Sequence, residues 1–529
     1  MKLPLKRTCA VLVLLCLLAS LAFATAYDGR PKLIVIIVID QFRGDYPERY
    51  RDRFVENGFR LFLDGGAAFV NCNFDYANTH TAPGHATLFT GAYTDGHGIG
   101  SNQWWDPDPK RPRVVTSVSD ASTKLVGAAG EGASPRNLRA DTLGDELKLA
   151  TGGRSRVFSI SLKDRSAVLP GGFAADGAYW IDHQTGAWIT SSYYMNELPG
   201  WVQKLNQEKP AEKYWDIPWK DASGKVLRTT AHPPGKGWYD IVGATPFAND
   251  YQLDFARELI AQEKLGTGPN TDLLAISLSP NDILGHQVGP DAPEMQAMAL
   301  ALDRQLADFT GFLGRQLGLA SVWIVLSADH GMAPLPAYAS KLRLPAANFD
   351  AQAFRTRINK ELSAHLGLGD YVKHIEWPVA YLSEPAFART NLKEADAERA
   401  VADALIKDPH VHGAYTRSQL EAGELPPTAT GRKYAHSYSP YGGWYVIAVP
   451  ALFDVGYPTG GDHGTPYSYD THVPLYFYGL AFHPGIYRTH CEPVDMVATL
   501  ASLLGIKAPS AATGRVLTEA LAAAKEAAP

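Results

Sequence analysis

The sequence predicts an α/β fold with a largely parallel central sheet flanked by helices, and two patterns lead to it. Leu33–Ile39 is an unbroken Leu/Ile/Val run, the composition of a strand buried on both faces, and shorter runs recur at 157–162, 273–278, 322–326 and 473–478. Helical periodicity fills the intervals. Met295, Met298, Leu302, Leu306, Phe309 and Leu313 recur at steps of three and four on one apolar face, and 251–264 and 494–504 read as further helices.

The chain begins with Lys2, Lys6 and Arg7 ahead of an apolar run over 11–23, closed by Ala22-Phe23-Ala24, a small-x-small cleavage site. The run is short for a bilayer span of about 20 residues. Residues 1–24 are therefore read as a secretory signal and 25–529 as one exported domain, periplasmic or secreted, with no membrane segment in its mature form. Of 529 residues, 46% are hydrophobic and 20% charged, which excludes a disordered, collagenous or coiled-coil chain. Removing the signal leaves 46 basic against 55 acidic residues, a net −9 without a basic block, so no nucleic-acid partner is expected. Cys9 and Cys16 depart with the signal. Cys72 and Cys491 remain as one possible disulfide pair.

Four of the five β-runs are followed by polar residues, where α/β sheets gather their ligands. The first ends in Asp40; 157–162 leads to Lys163-Asp164-Arg165; 273–278 precedes Asp282; and 322–326 precedes Asp329-His330. Two regions interrupt the rhythm. Residues 176–249 are turn-rich and aromatic, with Trp180, Trp188, Trp201, Trp215, Trp219 and Trp238, and 338–441 are mixed. Both read as insertions forming a cap. The Ala-rich end after Pro509 reads as a frayed helix.

Singly, these polar residues have ordinary structural explanations: Asp40 could cap a turn, and Asp282 with His286 could be a surface pair one helical turn apart. Together Asp40, Asp282, Asp329, His286, His330 and His463 make three carboxylates and three imidazoles, a set suited to two closely spaced divalent ions. A second segment, Asn78-Thr79-His80-Thr81-Ala82-Pro83-Gly84-His85-Ala86-Thr87, reads as a helix start with Thr81 near the N-cap and Pro83 in the first turn. Helix N-termini favour anions, and a hydroxyl beside a metal can attack phosphorus. Spacing alone leaves Thr79, Thr81 and Thr87 open as that hydroxyl.

Asp40, Thr81-Ala-Pro-Gly-His85, Thr90-Gly91, His97-Gly98-Ile99, Asp282-x-x-Gly-His286, Ser327-Ala-Asp329-His330-Gly331 and His463-Gly464 together resemble the alkaline phosphatase superfamily, in its order along nearly the whole chain. Gly100-Ser-Asn102 and Ser161-Leu-Lys163-Asp-Arg165 narrow the resemblance to bacterial alkaline phosphatases with a threonine nucleophile, relatives of nucleotide pyrophosphatase/phosphodiesterases. The resemblance implies Thr81 as nucleophile. It implies one zinc on Asp40, Thr81, Asp329 and His330 and another on Asp282, His286 and His463, manganese or cobalt being possible in their place. Asn102, Lys163 and Arg165 would hold phosphoryl oxygens, while His85 is read as a supporting residue and His80, His97 and His472 as packing. The activity so implied is hydrolysis of small-molecule phosphate monoesters through a phosphothreonine, by a monomer.

The Lys-x-Arg element favours monoesters, because a dianion needs more cationic donors than a diester. Two alternatives stay open: a phosphodiesterase or nucleotide pyrophosphatase of the same superfamily, and an inactive metal- or glycan-binding protein. Thr81 cannot become the formylglycine of sulfatases, and an exported chain argues against the cytoplasmic phosphoglycerate mutases.

Overall fold

The computed structural model describes residues 29–522, except 109 and 458; the predicted secretory signal lies outside the described residues. The central sheet has eleven strands: β1 Leu33–Ile39, β2 Ala67–Asn73, β3 Ser119–Val126, β4 Glu131–Ala133, β5 Val157–Ile160, β6 Gly177–Ile181, β7 Trp188–Ser191, β8 Asp272–Leu278, β9 Val322–Ser327, β10 His472–Tyr478 and β11 Gly485–Tyr487. Their order is β11-β2-β10-β9-β1-β8-β5-β6-β7-β3-β4. The middle of the sheet, from β9 through β1, β8 and β5 to β6, is parallel throughout. Every residue of β1 is buried, as its composition demands. The helices Pro246–Gln262 and Pro293–Leu317 pack on each other, and the predicted stripe from Met295 to Leu313 is buried along its length.

The largely parallel α/β sheet is as the sequence predicts, with instructive differences. The strand predicted at 473–478 runs antiparallel to β9. Its first residue, not its last, therefore lies at the edge where the parallel strands end, and the loop before it, carrying His463, feeds the site. The run at 157–162 stops pairing at Ile160, after which the chain turns toward Lys163.

The 176–249 region is not wholly a cap. Its first two strands, β6 and β7, continue the central sheet, and Trp188 and Trp238 are fully buried in the main core. Trp188 stacks on Phe255 with ring centroids 3.9 Å apart. The 338–441 region carries a second sheet with an apolar cluster of its own on one face, and it borrows one strand from beyond its predicted end; the other face packs with Ala77 and Trp104. Val372–Glu376, Val379–Leu382, Tyr445–Pro450 and Val411–Thr416 make a four-stranded antiparallel sheet in that order. The helices Ala351–Leu366 and Glu394–Leu405 cover it around Phe354, Ile358, Val401 and Val446. From Pro509 to Ala522 the described chain makes a turn at 510–511 and the single turn Thr518–Ala520, with Ala520 and Leu521 packed against the main core; the rest of the Ala-rich end, 523–529, lies outside the described residues. Cys72 and Cys491 are bridged neighbours on adjacent backbone segments and both are free, buried thiols.

Candidate active site at the carboxyl ends of the strands

Asp40 directly follows β1, and its N–H donates to Leu278 O at 3.0 Å, so strand pairing fixes its height. Asp282 and His286 lie one turn apart on the helix Pro280–Val288 that follows β8. Asp329 and His330 follow β9. The ligand atoms form two groups, Asp40/Asp329/His330 and Asp282/His286/His463, and within each group they lie within 4.8 Å of one another. All six predicted ligand side chains are thus brought together.

Each imidazole is oriented by a backbone carbonyl. His286 Nδ1 donates to Gly461 O (2.8 Å), His330 Nδ1 to Gly331 O (2.9 Å) and His463 Nδ1 to Thr79 O (2.7 Å). A carbonyl can only accept, so the neutral ring carries its proton on Nδ1 and keeps the Nε2 lone pair for a ligand. Asp40 Oδ1, Asp329 Oδ2 and His330 Nε2 are buried and accept no hydrogen bond. Three orphaned acceptors converging in one place are costly unless a cation satisfies them. The residues fit a pair of divalent ions.

Lys163 joins the two groups. Its Nζ lies 2.6 Å from Asp40 Oδ2 and 2.5 Å from Asp282 Oδ2, and its side chain is 2% exposed. Burial raises the Asp40 pKa, and the neighbouring Asp282 and Asp329 add to this against Lys163. For Asp282 burial pushes the same way, but Lys163 and His286 outweigh it and hold its carboxyl well below the usual range. His286 is pushed up to about 9, with Asp282 overcoming burial. His463 is held well below its ordinary value by burial and by the imidazoles of His330 and His286.

Thr81 is the first residue of the helix Thr81–Thr90, with His80 rather than Thr81 at the N-cap. His85, four residues on, donates from Nδ1 to Thr81 O (2.8 Å), with Asp329 Oδ2 at 3.2 Å, and its Nε2 meets Ser277 Oγ at 2.8 Å. It therefore ties the Thr81 turn to Asp329 and β8 while lying outside both ligand groups, the supporting place expected of it. Asn102 Oδ1 accepts from Ala82 N–H at 2.8 Å, leaving its amide nitrogen as a donor beside the same helix end. Arg165 is 23% exposed and its Nε has no hydrogen-bond partner. Asn102, Lys163, Arg165, Asp282, His286 and His463 line one cavity of about 490 Å³.

Sequence reasoning missed several neighbours. Gln41, in a left-handed conformation at φ 62°, donates from N to Asp329 Oδ1 and from Nε2 to Asp282 Oδ1, both at 3.0 Å, bridging the two groups. His80, expected only to pack, lines the cavity, and its Nε2 is buried without a partner. Tyr239 brings the aromatic region to the same cavity, and Glu376, Trp377 and Tyr457 bring the cap. Only Gln41 carried a signal, its adjacency to Asp40. His97 packs as expected, between Thr87 Oγ1 and Ile99 N (both 3.1 Å). His472 Nε2 meets Val70 O (3.0 Å).

The model of the type I phosphodiesterase / nucleotide pyrophosphatase family matches residues 34–427. A protein of Myroides odoratus named calcium-transporting ATPase is 32% identical, covering 97% of this chain and 99% of its own. Alkaline phosphatase PhoV of Synechococcus elongatus is 33% identical, with 93% of each chain covered. The crystal structure of wild-type alkaline phosphatase PafA superposes with a TM-score of 0.83 at 30% identity, covering 93% of this chain and 99% of that one. With its sheet, its ligand groups and its threonine-led helix in this arrangement, the chain belongs to the type I phosphodiesterase / nucleotide pyrophosphatase family of the alkaline phosphatase superfamily.

Proposed function

We propose that this chain is an exported, metal-dependent phosphomonoesterase that splits phosphate monoesters into an alcohol and inorganic phosphate through a phosphothreonine at Thr81. One observation carries the reading: the Thr81 helix end, two three-ligand groups and the Lys163 ammonium between them occupy one buried locus. The names of the relatives that match along nearly the full chain, PhoV and PafA, support monoester hydrolysis.

Asp40, Asp329 and His330, with Thr81, would hold one divalent cation and Asp282, His286 and His463 a second, zinc being preferred by this donor set and manganese or cobalt tolerated. When bound, such ions supply Lewis-acid charge that favours the alkoxide of a hydroxyl and offsets charge on a departing oxygen. The protein's own contribution is positioning and charge. In the first in-line displacement Thr81 Oγ bonds to phosphorus while the bond from phosphorus to the alcohol oxygen breaks, and that oxygen acquires a proton. In the second, a water oxygen gives up a proton and bonds to phosphorus, the bond to Thr81 Oγ breaks, that oxygen regains the proton it lost in the first step, and phosphate leaves. Two N–H donors of Lys163 go to Asp40 and Asp282, leaving the third for a phosphoryl oxygen. The free edge of Arg165 and the Asn102 amide nitrogen supply the rest. Export rests on the leading basic and apolar residues; among the described residues no helix is long and apolar enough to cross a membrane.

The test pairs an aryl phosphate monoester with an aryl diester, with and without a chelator. Monoester turnover should dominate, stop on chelation and return with zinc, and Thr81→Ala should lose at least about a thousandfold in kcat, the scale on which removing a nucleophile acts. A Thr81→Ala protein with full activity refutes the nucleophile, and a large preference for the diester reverses the substrate class.

A further inference from the structure

The catalytic cavity has two walls of different origin. The sheet-borne wall carries Lys163 and Arg165. The cap-borne wall carries Glu376, at the end of the strand Val372–Glu376, together with Asp350, Gln352, Trp377 and Tyr457. Glu376 is 20% exposed, and its Oε2 accepts from Gln103 Nε2 at 2.7 Å. Gln103 directly follows Asn102, so this hydrogen bond ties the cap carboxylate to the segment that meets the Thr81 helix. Among the described residues Glu376 Oε1 has no hydrogen-bond partner. Asp350 uses Oδ1 to cap the helix Ala351–Leu366, accepting from Gln352 N (2.8 Å) and Ala353 N (3.2 Å), which leaves Oδ2 unbonded. Trp377 lines the same cavity at 8% exposure, and its Nε1 is buried without a partner.

A carboxylate only accepts hydrogen bonds, so a wall of two carboxylates, an amide and two aromatic rings, with the His374 imidazole 3.7 Å from Glu376 Oε2, suits hydroxyl groups on an apolar frame. The same wall repels a second anionic group. Resting on the phosphomonoesterase reading, we propose that Glu376 determines specificity: it selects monoesters whose alcohol half is a hydroxyl-bearing polyol and rejects those whose alcohol half carries a further negative charge. The cavity is then bipolar. Phosphoryl oxygens meet Lys163 and Arg165 at the sheet, and hydroxyls of the departing alcohol meet Glu376 and Asp350 at the cap.

Glycerol 3-phosphate and 3-phosphoglycerate test this, because both are monoesters of a primary alcohol and they differ at the far end by a hydroxymethyl group against a carboxylate. The metal-loaded full-length enzyme should favour glycerol 3-phosphate in kcat/KM by about tenfold or more, which is one like-charge contact avoided. Glu376→Gln should bring the ratio to about two, and Glu376→Lys should invert it. As Gln103 can still bond the Gln variant, a wild-type melting temperature is the check on folding. The wild-type ratio should also shrink as salt is raised, a reading that needs no variant. A wild-type ratio near one, a ratio that neither variant moves, or a ratio indifferent to salt overturns the inference. Failure to hydrolyse any monoester, aryl phosphate included, overturns the phosphomonoesterase reading and this inference with it, whereas brisk aryl phosphate turnover with a flat ratio overturns this inference alone.

Discussion

Gly84 lies directly against Asp329: a Cβ at residue 84 would stand 2.3 Å from Asp329 O and 2.6 Å from Asp329 Cβ. The helix that starts at Thr81 and the turn that carries the Asp329 carboxylate are therefore in backbone contact. Any side chain at 84 would separate the hydroxyl from one ligand group.

Gly84→Ala should cost about 1–3 kcal/mol of stability, the usual penalty of overpacking a buried contact. It should lower kcat/KM by more than that stability loss explains, because a shift of about 1 Å in a reacting group costs roughly a hundredfold. Denaturant midpoints and steady-state kinetics together check it. Wild-type values in both would mean that the helix moves freely.

Metal removal should destabilise the fold. Asp40, Asp282 and Asp329 share one buried locus, offset by the Lys163 ammonium, by hydrogen bonds from Gln41 and by the neighbouring imidazoles of His85 and His286. Chelation should lower the melting temperature, and zinc at a hundred times its dissociation constant should restore about 2.7 kcal/mol. Because all three imidazoles offer Nε2 only when unprotonated, the metal should bind more weakly as pH falls. Calorimetric titration at two pH values checks the sign.

Asp120 should make acid stability measurable. It is 5% exposed; burial would raise its pKa, but hydrogen bonds from Ser122, Ser134 and Arg136 outweigh burial and hold it at about 2. A depressed carboxylate stabilises the fold fully above its unfolded pKa, near 4, and loses that contribution as pH falls from about 5 through 2. Discounted for the solvent around Arg136, the contribution is about 1 kcal/mol. Asp120→Asn should lose this at pH 7 and flatten the acid limb of the stability curve. An unchanged acid limb would discount the network.

Cys72 and Cys491 should be silent in the native protein. They are 0% and 1% exposed, and burial, with Cys491 alongside, raises the Cys72 thiol well above its ordinary pKa. In the chain lacking residues 1–24, a thiol reagent should find none in the folded, reduced state and two after unfolding. Prompt reaction of the folded chain would place them at the surface.

The six candidate ligands were legible because each follows a β-run, sits one helical turn from another candidate, or lies in a Gly-rich loop, as His463 does, and parallel pairing brings strand ends together. Asp40 and Asp329 illustrate it: β1 and β9 pair residue by residue, and both carboxylates emerge just beyond that ladder. The nucleophile was not decided by spacing, since Thr79, Thr81 and Thr87 share one short segment. The resemblance singles out Thr81, and the engagement of the other two hydroxyls supports that proposal. Thr79 Oγ1 donates to Thr465 O and Thr87 Oγ1 meets His97, while Thr81 heads its helix. Glu376 and His80 were illegible because tertiary packing, not local pattern, brings them to the cavity. The aromatic 176–249 region misled for the opposite reason: Trp188 reads as a lid residue until β7 is seen to pair inside the central sheet, between β6 and β3, with Trp188 stacked on Phe255.

The cap packs around Phe354, Ile358 and Val446, apart from the core behind the sheet. On the proposed role of Glu376, exchanging one alcohol for another requires rebuilding that cluster alone and leaves the residues at the strand ends untouched.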